Sequence, residues 1–434
     1  ADRSNSGITY ELFLQAEAQV KAIIEEDKGK IGRLFNSFMN TAKIEADGIN
    51  PIKEDLAQAD KIVDAKSLIS TIAELEIYGG PGIFGAYIYP DVGNTKQYAI
   101  YIYQGGLSLP DEAYYREEQY APIREAFLDH VKKMSEIAGI AIDAAALLKL
   151  ETEIASFHWD QVKDRDAIAT YNKMSFPELK ALSPNFDWDT YLSAGQIAPE
   201  KFEEIVVREP SFFEGISKIL GNFDVEAWRN WLRWHILSGS AGYLNEALVN
   251  QNFAFYATTL SGTPKIRERW KRGISFVEGA LGEEIGKVYV KRHFPESSKQ
   301  KMEILVQNLI KAYEISIKEL DWMTEETKVK ALEKLSKFNT KIGYPDKWRD
   351  YSALEIVDDL HTNLANIAKF ERDYELNKLG GPINRDEWGM TPQTVNAYYS
   401  PGFNEIVFPA AMLQPPFFNP EAEDAANYGG TGAV

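Results

Sequence analysis

Five histidines are the first residues to ask chemistry of: His130, His158, His235, His293 and His361. Two histidines at i and i+4 on a helix project from one face and can share one metal ion. Here the closest two, His130 and His158, are 28 residues apart. No local metal-binding motif is present, and scattered core or surface histidines are the ordinary reading. Carboxylates pair at Glu283–Glu284, but neighbours on a helix point ~100° apart and do not flank one bond. They read as a solvated face or a helix-cap contact. The run DQVKDRD, Asp160 to Asp166, gathers carboxylates around Arg165 and reads as a structural ion-pair network rather than acid–base machinery. No G-x-S-x-G turn, Walker loop or dinucleotide fingerprint occurs, and the glycine pairs fit turns.

One stretch has a specific mechanical reading. In VNAYYSPGFNEIVFPAAMLQPPFF, Val395 to Phe418, QTVNAYY reads as a strand, SPGFN as a turn and EIVF as a second strand. If TVNAYY lies at a sheet edge, its free N–H and C=O groups can pair with an extended peptide, and Asn396 adds a side-chain donor and acceptor beside that ladder. The competing reading is a buried hairpin in which Asn396 satisfies a neighbouring turn, and pattern alone favours it.

The elements around this stretch are mostly helical. ELFLQAEAQVKAII spaces Phe13, Ala16, Val20 and Ile24 as one helical face. Helical patterns follow over 52–78, 111–139, 143–158, 199–220, 224–260, 264–293, 299–320 and 325–338. In 299–320 the stripe Met302, Leu305, Leu309, Ala312 and Ser316 predicts core packing, and Glu325–Glu326 after Thr324 suit a helix start. Pro110 suits a first helical position with Asp111 and Glu112 in the first turn. GAYIY and YAIYIY around PDVGNTKQ predict one β-hairpin. From about Leu379 the chain turns loop-rich, and NYGGTGAV reads as a glycine tail approaching a following helix.

The 434 residues exceed one ordinary core, so two or three domains are expected. Apolar residues make up 44% and the formal net charge is −18. That charge disfavours nucleic acid and anionic lipid, which need clustered Lys and Arg. RERWKR, Arg267 to Arg272, reads as one solvated helical face. The absence of cysteine excludes disulfides, Cys-ligated metals and thiol nucleophiles. No run approaches the ~20 apolar residues of a membrane span. The chain therefore reads as soluble, either cytoplasmic or exported without disulfides.

NAYYSPGFNEIVFPAAMLQPPFF followed by AANYGGTGAV resembles the neprilysin and endothelin-converting-enzyme family of zinc endopeptidases, above all its soluble bacterial members. GGLSLPDEAYY, DRDAIATYNKMS, SPNFDWDTYL, RERWKRGISFVEGALGEEIGKVYVKRHF and IGYPDKWRDYS correspond to further family segments in order, so the resemblance covers essentially the whole chain. It implies a mainly α fold. A large helical lid domain with a small β-hairpin would occupy 1–370. The opening strands of a truncated, thermolysin-like α/β catalytic domain would occupy 371–434.

By the same resemblance, Asn396 binds the backbone of a peptide substrate through its side chain and Ala397 through its main chain. Arg3 lies near where mammalian members hold an arginine for a substrate's terminal carboxylate, while the second arginine's place falls at about Phe13. The family's H-E-x-x-H helix follows NYGG-x-G-x-V. Its zinc ligands and general base therefore fall beyond Val434, and one zinc ion is expected in the complete protein. Thr431 stands where the family more often has Ile, and the early aromatic-x-Asn-Gly-x-Trp segment is missing. The resulting expectation is a zinc-dependent endopeptidase cleaving oligopeptides inside a closed chamber. This chain would supply the lid and the substrate strand and would be inactive alone, the catalytic half being a further or separate segment. The alternative is a metal-free, catalytically inactive peptide-binding helical module.

Overall fold

The computed structural model describes residues 7–432 and 434. The chain forms two compact units, each described by itself: one from Ser37–Glu268 with Leu354–Ile383, the other from three stretches, 1–36, 269–353 and 384–434. Helices dominate both, with a few short strands, so the chain is mainly α. No helix among the described residues is long and apolar enough to cross a membrane.

In the first unit the expected hairpin forms as β1 (Phe84–Asp91) and β2 (Asn94–Gln104), antiparallel, with Tyr87 opposite Tyr101. Its turn is tighter than expected, because pairing runs on to Asp91 and Asn94. On its other edge β2 pairs in parallel with β4 (Glu204–Val207), and β4 pairs antiparallel with β3 (Asn172–Ser175). The order β1-β2-β4-β3 makes β2 and β4 central strands, buried on both faces.

The helical pattern over 199–220 is therefore corrected. Pro199–Phe202 is a single 3-10 turn, Ile205, Val206 and Val207 are fully buried in the sheet, and a helix begins only at Pro210. Three consecutive β-branched residues suit a strand flanked on both faces. The pattern over 111–139 splits likewise, into Ala113–Arg116 and Ala121–Ala138, and Pro110 precedes the first helix instead of opening it. The core of this unit is aromatic: Trp228, Trp231 and Trp234 lie on the Val225–Ser240 helix and are fully buried.

In the second unit the Ile8–Glu26 helix buries Leu12, Ala16, Val20 and Ile24, whereas Phe13 stays 45% exposed and stacks on Tyr10. The buried face thus runs one residue earlier than the Phe13 reading. In the Glu296–Glu319 helix Met302 and Leu305 are buried, Leu309 is half-buried, and Ala312 and Ser316 are exposed. The predicted core stripe is core only in its first half. Thr324 caps the Glu325–Ser336 helix by accepting the Thr327 N–H at 3.2 Å.

β5 (Asn339–Gly343), β6 (Tyr398–Ser400) and β7 (Glu405–Pro409) form a sheet of order β5-β7-β6, with β7 parallel to β5 and antiparallel to β6. The NYGGTGAV stretch is not a free tail. Asp424–Gly432 is itself a helix.

Candidate functional site

The placement of Asn396 begins far away in sequence, on the Arg269–His293 helix. That helix kinks at Leu281, and beside the kink Gly282 and Gly286 leave room for a loop. A Cβ on Gly282 would lie 2.5 Å from Thr391 Cγ2, and one on Gly286 would lie 2.8 Å from Pro392 Cδ. Gln393, buried, donates its Nε2–H to the Gly282 carbonyl at 3.0 Å. Pro392 in turn offers its carbonyl to the Ala411 N–H at 2.8 Å, just past the end of β7. Thr391–Gln393 is therefore held on one side by a helix and on the other by the sheet.

From there the backbone turns. Thr394 N–H reaches the Thr391 carbonyl and Asn396 N–H the Thr394 carbonyl, each at 3.0 Å. The expected strand QTVNAYY is corrected accordingly: only Tyr398–Ser400 pairs with β7. Backbone donors spent on local turns are not available to a ladder.

Asn396 and Ala397 stand at the head of β6, immediately before its first paired residue. Asn396 is exposed, and its Oδ1 accepts the Ala397 N–H at 2.8 Å. β6 lies at the edge of its sheet. The pair thus combines both sequence readings, a side chain serving a local backbone group and a position at an open edge. Arg3 lies outside the described residues.

The strand is well supported. Gly389 N–H donates to Tyr398 Oη at 2.7 Å, and Tyr399 stacks against Phe338 with ring centroids 6.1 Å apart. The turn between β6 and β7 ends on Asn404 at φ 51°, whose Nδ2 donates to the Lys334 carbonyl at 2.9 Å. Inside the sheet Lys341 and Glu405 form a buried ion pair at 2.8 Å, and Lys341 also donates to the Glu387 carbonyl. Removing one member would strand the other charge.

The Asp424–Gly432 helix docks on the preceding loop. Asn427 brackets Asn419 by accepting its N–H at 2.8 Å and donating to its carbonyl at 2.9 Å, and Thr431 donates to the Phe417 carbonyl at 2.7 Å. Gly430 permits this approach, since a Cβ there would meet that carbonyl at 2.6 Å.

The other residues singled out by type have structural partners. Glu283 accepts the Arg349 N–H at 2.7 Å and Glu284 pairs with Lys287 at 2.6 Å. Asp160 and Asp166 each accept two backbone N–H groups of their own turns. The network near them centres on Arg208 rather than Arg165. Arg208 meets Asp164 at 2.9 Å and Tyr87 Oη at 3.2 Å, and its Nε lies 3.3 Å from Glu209.

Glu209 is fully buried and hydrogen-bonded to Asp164. Burial first, and that shared hydrogen bond second, push its carboxyl up to about 8. Burial also acts on Asp164, but bonds from Glu209 and Arg208 hold it low. Among the histidines, His130 stacks on Phe255 at 4.7 Å and His158 meets the Gly105 carbonyl at 3.0 Å; burial drives both down to about 4. His235 binds Glu151 at 2.9 Å. Among the described residues no group of three or more His, Asp or Glu side chains is arranged to hold a metal ion. The donors among the described residues do not fit a zinc site.

Sequence profiles of peptidase family M13 match residues 1–345 and 396–434. The chain is 29% identical to a neutral endopeptidase of Lactobacillus helveticus, across 100% of this chain and 70% of that protein. It is also 29% identical to endothelin-converting enzyme 1 of Mus musculus, across 95% of this chain and 57% of that one. Among solved structures, the inhibitor complex of Mycobacterium tuberculosis zinc metalloprotease Zmp1 superposes with a TM-score of 0.93 at 44% identity, covering 100% of this chain and 68% of that one. The chain thus spans between 57% and 70% of the length of these relatives.

Proposed function

This chain belongs to peptidase family M13, and from that premise we propose that it supplies the substrate-holding part of a zinc-dependent endopeptidase acting on oligopeptides. The observation that carries the reading is the Asn396–Ala397 pair, Asn396 exposed and Ala397 half-buried, at the head of the edge strand β6. An extended peptide adds to such an edge through its main chain, which gives grip without regard to sequence. With Asn396 Oδ1 engaged by Ala397 N–H, the two N–H groups of its Nδ2 are the donors it offers a peptide carbonyl. Ala397, its N–H already engaged, contributes its main-chain carbonyl beside it. Fixing the peptide backbone fixes the bond to be cleaved, which is where positioning lowers a barrier.

The zinc ligands and the general base belong, in this proposal, to the length of the relatives that this chain does not span. The helical region serves as a lid that admits peptides and small proteins and excludes large folded ones.

The test uses the complete protein and a quenched-fluorescence oligopeptide. Hydrolysis is expected to stop on chelation and return with zinc, while a large folded protein stays uncut. A zinc-loaded complete protein that cleaves no oligopeptide would overturn the reading.

A further inference from the structure

A cavity of about 580 Å3 lies wholly inside the unit formed by Ser37–Glu268 and Leu354–Ile383, within the ~300–1,000 Å3 typical of ligand sites. One wall comes from the sheet, with Tyr87 of β1, Gln104 of β2, and Arg208 and Glu209 just past β4. Another comes from the surface segment between Trp159 and Tyr171, through Trp159, Gln161 and Asp164.

That segment is pinned at its two ends. Trp159 exchanges two hydrogen bonds with the Gln104 amide, at 2.8 and 3.1 Å, and donates its indole N–H to Ser211 Oγ at 2.7 Å. At the far end Tyr171 Oη donates to the buried Asp91 at 2.7 Å, and Asn172 Nδ2 donates to the Ala169 carbonyl at 2.8 Å. Between these anchors every residue from Gln161 to Ile168 is exposed except Asp164. Val162 and Ile168 are 83% and 87% exposed, so no apolar packing holds the middle down. Asp160 and Asp166 serve N–H groups of the segment's own turns, and the Lys163 ammonium lies over the neighbouring Trp159 ring. Apart from Gln161, which donates to Asp111 at 2.6 Å, Asp164 is what ties the middle to the cavity wall.

The tie is made of three groups. Arg208 donates from Nη2 to the Asp164 carbonyl at 3.1 Å and to its Oδ1 at 2.9 Å. Asp164 is also hydrogen-bonded to the carboxyl of Glu209. Two carboxyl groups in that contact need one proton between them, since a pair of carboxylates has no donor. Glu209 is fixed in place: it is fully buried, accepts the Gln104 N–H at 2.8 Å, and follows Arg208, whose own N–H is bonded to the Ile102 carbonyl at 3.0 Å. Asp164 is free to leave, because its segment is exposed.

The other charged groups around the pair do not replace that proton. Arg208 is the one Lys or Arg in the cavity lining, and it is shared among Asp164, Glu209 and Tyr87 Oη. His158 gives its Nε2–H to the Gly105 carbonyl, and burial, by driving it down to about 4, keeps the ring neutral. Asp111 accepts from Gln161 and from the Ala113 N–H, and Glu112 pairs with Arg116 at 2.7 Å. Loss of the proton therefore sets two carboxylates in contact, one of them buried, against a single guanidinium.

We propose that the Asp160–Thr170 segment is a pH-gated flap over this cavity, latched by the proton that Asp164 and Glu209 share and released when that proton leaves. The device is independent of the peptide-handling reading of β6.

Hydrogen exchange on the full chain, read by mass spectrometry and corrected for the intrinsic pH dependence of exchange, tests it. Opening frees a carboxyl that the closed state holds protonated up to about 8, against an ordinary 4.5 once released. Protection of 160–170 should therefore fall as pH rises from 6.5 toward 8, by up to about tenfold per unit for one proton, and level off above. The Val225–Ser240 core helix should exchange more slowly at every pH, because a flap opens without unfolding its unit. Glu209→Gln keeps an acceptor for the Gln104 N–H and a donor for Asp164 without titrating, so protection should stay high and flat. Asp164→Ala changes an exposed turn, so it keeps the test open if Glu209→Gln does not fold, and it should give low protection at every pH. Asp166→Asn loosens the segment without touching the pair, so the pH slope should survive. A pH-independent wild type, an unaltered slope in Glu209→Gln or Asp164→Ala, a slope lost in Asp166→Asn, or exchange of the segment in step with the core helix would each overturn the proposal.

Discussion

Asn396 has two ends with different employment: Oδ1 holds the Ala397 N–H at 2.8 Å, and the amide as a whole is exposed. Asn396→Ala in the complete protein removes the donor without touching the β6–β7 pairs. The expected loss is ~1–3 kcal/mol of transition-state binding, read as a fall in kcat/KM with the melting temperature held. An unchanged kcat/KM would take Asn396 out of the site. The sequence could single this residue out because its motif is contiguous. Glu209 was not, because Asp164 reaches it through the fold, and neither was Glu151, whose partner His235 stands 84 residues along the chain. Glu209 makes a pH prediction whose sign can be worked out. Its folded value of about 8, and about 7 for the buried Glu76, lie above the ordinary 4.5, so the folded state holds protons the unfolded chain has lost, and stability falls as pH rises toward those values. His130 and His158, driven from 6.5 to about 4, act in the opposite sense below about 6.5. The window from about 6.5 to 8 is left to the carboxyls. Over it the melting temperature should decline, with a slope of at most about 1.4 kcal/mol per pH unit for one proton. Glu209→Gln should flatten that decline, and an identical slope in the variant would refute the assignment.

At the scale of elements, periodicity carried most of the fold. Long helices repeat their pattern often enough to be read, and the aromatic alternation of β1 and β2 is unmistakable over eight and eleven residues. β3 and β4 have four residues each, too few for a period to show, and β4 is apolar on both faces because a sheet surrounds it. The shortened β6 failed for another reason: Gln393 is tied to Gly282, 111 residues away, and that bond turns the backbone before pairing starts. Gly282 and Gly286, inside a helical pattern, create the seat for Thr391 and Pro392. Gly286→Ala separates the two influences. Helix propensity alone would favour alanine by ~1 kcal/mol, whereas a Cβ 2.8 Å from Pro392 Cδ must displace the loop. Overpacking typically costs ~1–3 kcal/mol, so the variant should be less stable in urea and, in the complete protein, slower on peptides. A more stable Gly286→Ala with normal turnover would show that the loop is not seated by this helix.

At the scale of the whole molecule, the −18 charge has a reach that no single residue shares. The summed field of an acidic chain acts over tens of ångströms, speeds encounter, and is screened as the Debye length shrinks from about 30 Å at 0.01 M salt to about 8 Å at 0.15 M. Contacts at a strand edge act at short range instead, and contact interactions appear in the dissociation rate. Composition showed the first of these and hid the second, since no count of charges reveals which backbone groups stand at an edge. Stopped-flow binding of a capped Ala-Arg-Ala tripeptide and its neutral citrulline analogue should therefore separate them. The association rate of the arginine peptide should fall several-fold across that salt range, while the association rate of the citrulline peptide and both dissociation rates change little. An arginine-peptide association rate that ignores salt would show that the net charge plays no part in bringing peptides to the chain.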